Sequence, residues 1–122
     1  MGHSEGFLKL VNEAKSNIKE YTIDEVSQKL QNNETFVFID VREESEWQKG
    51  RAKNAIHIGK GVIERDIESN VPDKSTEVVL YCGGGFRSAL AADALNKMGY
   101  QNVFSMDGGM RGWLAAGLPT EE

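Results

Sequence analysis

The segment with the clearest potential for chemistry runs from Tyr81 to Ser88 and reads Tyr-Cys-Gly-Gly-Gly-Phe-Arg-Ser. The apolar run over residues 77–82 predicts a buried strand that ends at Cys82, and a helix is expected to begin at Arg87 and Ser88. Three consecutive glycines allow a tight turn in which successive N–H groups point toward one centre. The positive end of the helix and the Arg87 guanidinium favour an anion there. We therefore expect the pKa of the Cys82 thiol to lie below the free value of about 8.5.

Each of these features has an ordinary structural explanation when it is taken alone. A lone cysteine at the end of a buried strand is more often a small hydrophobic residue than a nucleophile. The glycines could simply form a turn, and Arg87 could be a solvated residue of the first helical turn. Their combination within seven residues, in the order that an anion site requires, favours a thiolate or persulfide at Cys82. Cys82 is the only cysteine, so a disulfide within the chain is excluded, which is compatible with a reducing compartment.

The patterns along the rest of the chain alternate between helix and strand. Thr22 and Glu25 have the spacing of a capping box, which predicts a helix that ends near residues 31–33. Helical spacing of apolar residues also predicts an N-terminal helix that includes Phe7, Ala14 and Ile18. Further strands are predicted over 35–41, 55–58 and 102–106, and further helices over 88–98 and 108–115. This alternation indicates an α/β fold with a mainly parallel sheet.

Length and charge exclude several classes of protein. The chain has 122 residues, enough for one domain, and 39% of them are hydrophobic. Its formal net charge of −5, with no cluster of Lys and Arg, disfavours a nucleic acid partner. We find no apolar run of membrane-spanning length, and Lys9 and Glu13 interrupt the apolar residues near the N-terminus. These observations predict a cytoplasmic protein that contacts no membrane.

Three segments resemble the motifs of the rhodanese-like domain family. Residues 82–88 are similar to its C-x-x-G-x-R-S active-site loop, and residues 40–47 resemble its D-V-R-E-x-x-E-[FW] motif. Residues 107–119 are similar to its C-terminal G-G-x-x-x-W…G-x-P signature. The three segments occur in the order of the family, and the likeness extends from about Tyr21 to Pro119.

The resemblance implies both a fold and an activity. The fold is a single rhodanese-like domain over residues 21–120, with a five-stranded mainly parallel sheet flanked by helices on both faces, and residues 1–20 form an N-terminal helical extension. The activity is that of a single-domain thiosulfate sulfurtransferase, with a persulfide on the catalytic Cys82. The resemblance implies thiosulfate or a persulfide as the sulfur donor, and cyanide, a small thiol or a sulfur-relay protein as the acceptor. We expect no cofactor and no metal. The implied substrate-binding residues are those of the loop: Gly83, Gly84, Gly85, Phe86, Arg87 and Ser88.

Some positions depart from the family pattern or have an expected structural role. Residues 50–55 replace the frequent G-H-I-x-G-A segment, and Asn54 stands where a left-handed conformation is expected. Asp40 has the spacing to cap a short helix before Trp47, and Arg42 and Glu46 are four residues apart and could pair on that helix. Glycines directly after Cys82 leave Arg87 as the only cation of the loop.

Two other functions remain open at this level. Cysteine phosphatases and arsenate reductases use a similar anion loop, but with five residues between cysteine and arginine, whereas four separate Cys82 from Arg87. A rhodanese-like domain can also act as a non-catalytic binding module. Such modules typically lack the cysteine, which this chain retains.

Overall fold

The computed structural model describes residues 2–122, and these residues form an α/β fold in which helices and strands alternate. The helices are α1 Glu5–Lys15, α2 Ile23–Gln31, α3 Glu44–Gln48, α4 Ile63–Asn70, α5 Phe86–Lys97 and α6 Gly109–Ala115. The strands are β1 Lys19–Tyr21, β2 Val37–Asp40, β3 Arg51–Ala52, β4 Ile56–His57, β5 Val78–Tyr81, β6 Val103–Met106 and β7 Thr120–Glu121. A 3₁₀ turn over Lys60–Val62 precedes α4. Within residues 2–122, no helix has both the length and the apolar character needed to cross a membrane.

Five of the strands form one parallel sheet in the order β1-β6-β5-β2-β4. This confirms the predicted five-stranded sheet. The central strand is β5, in which all four residues are buried, as expected for an uninterrupted apolar run in a parallel sheet. Asp40 at the end of β2 pairs in register with Tyr81 at the end of β5. The loops that follow these two strands therefore emerge side by side at the carboxyl edge of the sheet, where open α/β sheets bind their ligands.

Helices cover both faces of the sheet, as predicted. On one face, α4 and α5 pack against Ile39, Leu80 and Val103 of the strands, and α1 packs on the outside of α5. On the other face, α2 and α6 enclose a core that contains Phe38 and the fully buried Trp113. Side chains of a strand alternate between the two faces, so Tyr81 joins the second core and Cys82 joins the first.

Two parts of the architecture were absent from the expected elements. β1 is a three-residue edge strand with mostly exposed side chains, so it carries no buried-strand pattern. β3 and β7 form a small antiparallel pair that joins segments about seventy residues apart. The expected division between an extension over 1–20 and a domain over 21–120 falls inside β1, which pairs with β6, and that division stays a prediction.

The expected roles of Asp40 and Arg42 were wrong. Asp40 is completely buried and accepts hydrogen bonds from the Arg42 backbone N–H at 2.9 Å and from its Nη2 at 2.8 Å. A buried carboxylate needs such a charged partner, so Arg42 turns back toward Asp40 instead of extending along α3. Glu43 occupies the N-cap position of α3, and its N–H donates to the Glu46 side chain at 3.0 Å. Because Arg42 pairs with Asp40, the Glu46 carboxylate is available to another cation.

Candidate functional site

The Cys82 side chain lies at the carboxyl end of the central strand and is 1% exposed. Its sulfur accepts hydrogen bonds from the backbone N–H groups of Gly85 at 3.1 Å and Ser88 at 3.4 Å. The Ser88 hydroxyl oxygen lies 3.5 Å from the same sulfur. The loop therefore encloses Sγ with polar hydrogens, as the glycine run predicts for an anion cradle.

These hydrogen bonds change the acidity of the thiol. Burial by itself raises the pKa of Cys82, because it removes water from the thiolate. The Ser88 hydroxyl and the N–H groups of Ser88, Gly85 and Gly84 act in the opposite direction and outweigh burial, so the pKa of Cys82 is lowered. The thiolate is the reactive form of cysteine, so the loop raises the fraction of Cys82 that is in this form at a given pH.

The start of α6 fixes the direction in which the loop peptides point. The Met110 N–H donates to the Cys82 carbonyl at 2.7 Å, and the Arg111 N–H donates to the Gly83 carbonyl at 3.0 Å. In a trans peptide the N–H points away from the carbonyl of the same unit. The N–H groups of Gly83 and Gly84 therefore face away from α6, which leaves them available on the other side of the loop.

Two glycines make this close approach possible. Gly109 has a φ of 54° and packs so closely on the loop that an added Cβ would overlap the carbonyl group of Cys82 and the carbonyl carbon of Gly83. Gly85, at the N-cap of α5, has a φ of 108°, and its Cβ would lie 3.2 Å from the Asp107 carboxylate. The loop and the C-terminal glycine motif are thus one packed unit.

Arg87 is held by an acidic partner that sequence reasoning assigned to Arg42. Its Nη1 donates to Glu46 Oε1 at 2.7 Å and its Nη2 donates to Oε2 at 3.1 Å, which makes a bidentate ion pair between α5 and α3. The hydrogen bonds from Arg87 lower the pKa of Glu46 to about 2, against the opposing effect of burial. Arg87 also interacts with Cys82, as expected for the cation of the loop, but Glu46 is its main partner and balances most of its charge.

Ser105 of β6 is a site residue that sequence reasoning missed. Its hydroxyl oxygen lies 2.8 Å from that of Ser88, and both side chains are completely buried. Ser88 has one hydroxyl hydrogen, so it can donate to the Cys82 sulfur only when Ser105 donates to Ser88. The available signal was a serine at an inward position of an otherwise apolar strand.

An open depression of about 470 Å³ lies above the loop. Gly83 and Arg87, two of the residues expected to bind substrate, line it together with Arg111 and His3, which the sequence did not single out. The Phe86 ring instead packs against His3 at 5.0 Å and Phe7 at 6.1 Å between ring centroids. The predicted loop residues thus divide between the sulfur cradle, the wall of the depression and the contact with α1.

A model of the rhodanese-like domain matches residues 22–116, most of the chain. The chain belongs to the rhodanese-like domain family. This confirms the resemblance of the three motifs.

Two curated relatives of this rhodanese-like domain come from Bacillus subtilis strain 168. The "Putative sulfurtransferase YtwF" is 34% identical over 96 residues, which cover 79% of this chain and 90% of the relative. The "Putative sulfur carrier protein YrkF" is 32% identical over 98 residues, which cover 80% of this chain and 52% of the relative. This chain therefore spans about half the length of the second relative. Together with the family, these relatives support sulfur transfer as the general activity.

Two solved structures share the fold over nearly the whole chain. The polysulfide-sulfur transferase homodimer of Wolinella succinogenes has a TM-score of 0.80 and 30% identity, covering 95% of this chain and 87% of its own. A protein of unknown function from Rhodopseudomonas palustris, described as a "possible tyrosine phosphatase", has a TM-score of 0.86 and 28% identity, covering 99% and 98%. These two structures and the family match over residues 22–116 agree on the rhodanese-like fold.

The contact between Gly109 and the loop predicts a cost for any side chain there. We expect Gly109→Ala to lower the free energy of unfolding by about 2–4 kcal/mol, because the added Cβ meets backbone and the φ is positive. Urea denaturation measures this change. Gly61→Ala is the matched control, since nothing lies within 4 Å of its added Cβ, and its stability should stay within about 1 kcal/mol of the wild type. Equal stabilities of the two variants would contradict the packed arrangement.

The two buried hydroxyls predict a graded effect on the Cys82 thiol. Ser88→Ala should raise the pH midpoint of Cys82 alkylation by about one pH unit, because it removes a direct hydrogen bond to the thiolate. Ser105→Ala should raise that midpoint by about half a pH unit, because it acts only through Ser88. The exposed Ser69→Ala serves as a control and should leave the midpoint unchanged. A midpoint that is identical in all three variants would exclude a role for the hydroxyl pair.

Proposed function

We propose that this protein transfers sulfane sulfur from thiosulfate or a persulfide donor to a thiophilic acceptor through a persulfide on Cys82. The observation that carries the proposal is the convergence of the Gly85 and Ser88 N–H groups and the Ser88 hydroxyl on the Cys82 sulfur. Donors arranged in this way stabilise negative charge on the attacking thiolate and on the outer sulfur of a persulfide.

The first step loads the sulfur. The Cys82 thiolate attacks the outer sulfur of thiosulfate, forming a new S–S bond while the original S–S bond breaks. Sulfite leaves with the electron pair of that bond, and the negative charge of the thiolate passes to the outer sulfur of the new persulfide. With a persulfide donor the same exchange releases the donor's thiolate. No proton is transferred in either exchange when the thiol begins ionised.

The second step delivers the sulfur to an acceptor. Cyanide or an acceptor thiolate attacks the outer sulfur, and the Cys82 thiolate leaves with the electron pair of the S–S bond. Cys82 as a residue is 1% exposed, so once the persulfide has formed, its outer sulfur is more accessible to an acceptor than Sγ behind it. Attack on Sγ would instead expel sulfide and leave a mixed disulfide. The burial of Sγ therefore directs the reaction toward transfer.

The acceptor in this proposal is always another molecule. Cys82 is the only cysteine of the chain, so no thiol within it can take the sulfur or close a disulfide. The relative named as a sulfur carrier favours a sulfur-relay protein as one class of acceptor. We also propose that the protein works in the cytoplasm, because a reducing compartment keeps the thiols of acceptor molecules available.

The size of the loop favours sulfur over phosphate. A phosphoryl group brings several oxygens that each need a donor, whereas a persulfide places one outer sulfur in the cradle. Four residues separate Cys82 from Arg87. The close packing of Gly109 on the loop and of Gly85 against Asp107 keeps the loop tight. N–H groups that cannot align with the oxygens of a phosphoryl transition state do not accelerate the hydrolysis of a phosphate ester.

Intact-mass analysis tests the proposal. After incubation with thiosulfate the wild-type protein should gain the mass of one sulfur atom, and cyanide should remove it. Cys82→Ser should gain none, because hydroxyl oxygen cannot form the persulfide. An aryl phosphate supplied at the same enzyme concentration should show negligible hydrolysis.

Three results would contradict the proposal. One is sulfur transfer by Cys82→Ser at the wild-type rate. Another is aryl phosphate hydrolysis that depends on Cys82 and matches or exceeds sulfur transfer, which would support the phosphatase alternative. The third is a protein that loads from no donor, which would support the binding-module alternative.

A further inference from the structure

The depression above the loop contains a cation that the loop motif does not include. Arg111 lies in the first turn of α6, and its backbone N–H and its Nε both donate to the Gly83 carbonyl, at 3.0 Å and 3.4 Å. Its side chain is therefore anchored at the base and lies over the loop. The depression that it lines also includes Gly83 and Arg87.

Arg111 occupies the space that a side chain at Gly84 would need. A Cβ added to Gly84 would overlap Nη2 of Arg111 and would lie 3.2 Å from its Cζ. The absence of a side chain at this loop position is what allows the guanidinium to lie over the loop. The sequence alone suggested that the glycines leave the loop with one cation, and the structure supplies a second one from α6.

The three arginines around the depression differ in their partners. Arg42 is paired with the buried Asp40, and Arg87 is paired bidentately with Glu46. Among residues 2–122, no carboxylate lies within 4.0 Å of the Arg111 guanidinium. Arg111 is also exposed, so an incoming anion meets its charge without having to break an existing ion pair.

We propose that Arg111 binds the anionic group of the sulfur donor that remains outside the cradle during loading of Cys82. This inference rests on the proposed sulfur-transfer function. The ligand chemistry is an oxyanion carried by the part of the donor that leaves, either the sulfonate of thiosulfate or a carboxylate of a peptide persulfide such as glutathione persulfide. A guanidinium suits both, because its N–H groups form a fork that donates to two oxygens at once.

Single-turnover loading of Cys82, followed by intact mass, measures donor binding apart from the acceptor step. The donors are thiosulfate, glutathione persulfide and hydroxyethyl persulfide, whose hydroxyethyl group carries no anion. Arg111→Gln should raise the half-saturating concentration of thiosulfate, of glutathione persulfide or of both by about tenfold. The limiting rate of loading should change little. The hydroxyethyl donor should change by less than about twofold, because it offers Arg111 no oxyanion.

Two further variants serve as controls. Arg65→Gln removes the same charge from an exposed arginine that pairs with Asp66, and it should load like the wild type with every donor. Arg111→Lys should restore part of the lost affinity, because it keeps the charge but loses the fork. A tenfold effect on thiosulfate alone identifies the sulfonate as the ligand, and an effect on glutathione persulfide alone identifies the carboxylate.

The outcomes separate this inference from the proposed function. If the wild type loads Cys82 and Arg111→Gln loads from both oxyanion donors with unchanged half-saturation, Arg111 does not bind them and the inference is wrong. An equal loss with all three donors would also overturn it, because it would indicate damage to the loop. If the wild type loads from no donor, the proposed function fails and this inference fails with it.

Discussion

The account depends on one pair of hydrogen bonds, those from the Met110 and Arg111 N–H groups to the carbonyls of Cys82 and Gly83. They turn two consecutive carbonyls of the loop toward α6, so the N–H groups of Gly83 and Gly84 face the other side, and the Gly84 N–H is one of the groups that lower the pKa of Cys82. Without them, carbonyl oxygens could face the sulfur and would repel a thiolate. The glycine at position 109 is required because any side chain there would separate α6 from the loop.

Ion pairs at the carboxyl edge of the sheet balance the charges of the two arginines, Arg42 and Arg87, that lie near this loop. The Asp40–Arg42 pair anchors the segment after β2, and the Arg42 guanidinium also donates to the Gly50 carbonyl at 2.7 Å. The next helix then presents Glu46 to Arg87, which joins α3 to the start of α5. Balancing two arginines in this way leaves the thiolate to be stabilised mainly by dipoles that are fixed before a substrate arrives. Such preorganised dipoles require no rearrangement during the reaction.

Local sequence patterns were sufficient for the α/β alternation and for the central strand that ends at Cys82. The capping box at Thr22 and Glu25 forms as expected, with both hydrogen bonds present, and the apolar run that became β5 ends at the cysteine. Asn54 adopts the expected left-handed conformation, with a φ of 72°. These features depend on residues close together in the chain, which is why they could be predicted.

Most of the missed features join distant segments. Ser105 meets Ser88 only because β6 lies next to β5, and Glu46 meets Arg87 only because α3 and α5 begin at the same edge of the sheet. Asp40 was assigned to a helix cap because its spacing from Glu43 fits one, but a completely buried carboxylate requires a charged partner more than a helix requires that cap. His3 and Phe7 reach Phe86 through the packing of α1 on α5, which no motif records.

The central claim is that loop N–H groups hold the anionic sulfur of Cys82, and amide NMR tests it most directly. A pH titration of the ¹⁵N-labelled protein should move the amide resonances of Gly85 and Ser88 with one midpoint, below the value of about 8.5 for a free thiol. That midpoint should match the one for alkylation of Cys82, and the transition should be absent in Cys82→Ser. The account is contradicted if Cys82 ionises while the Gly85 and Ser88 amides stay unchanged.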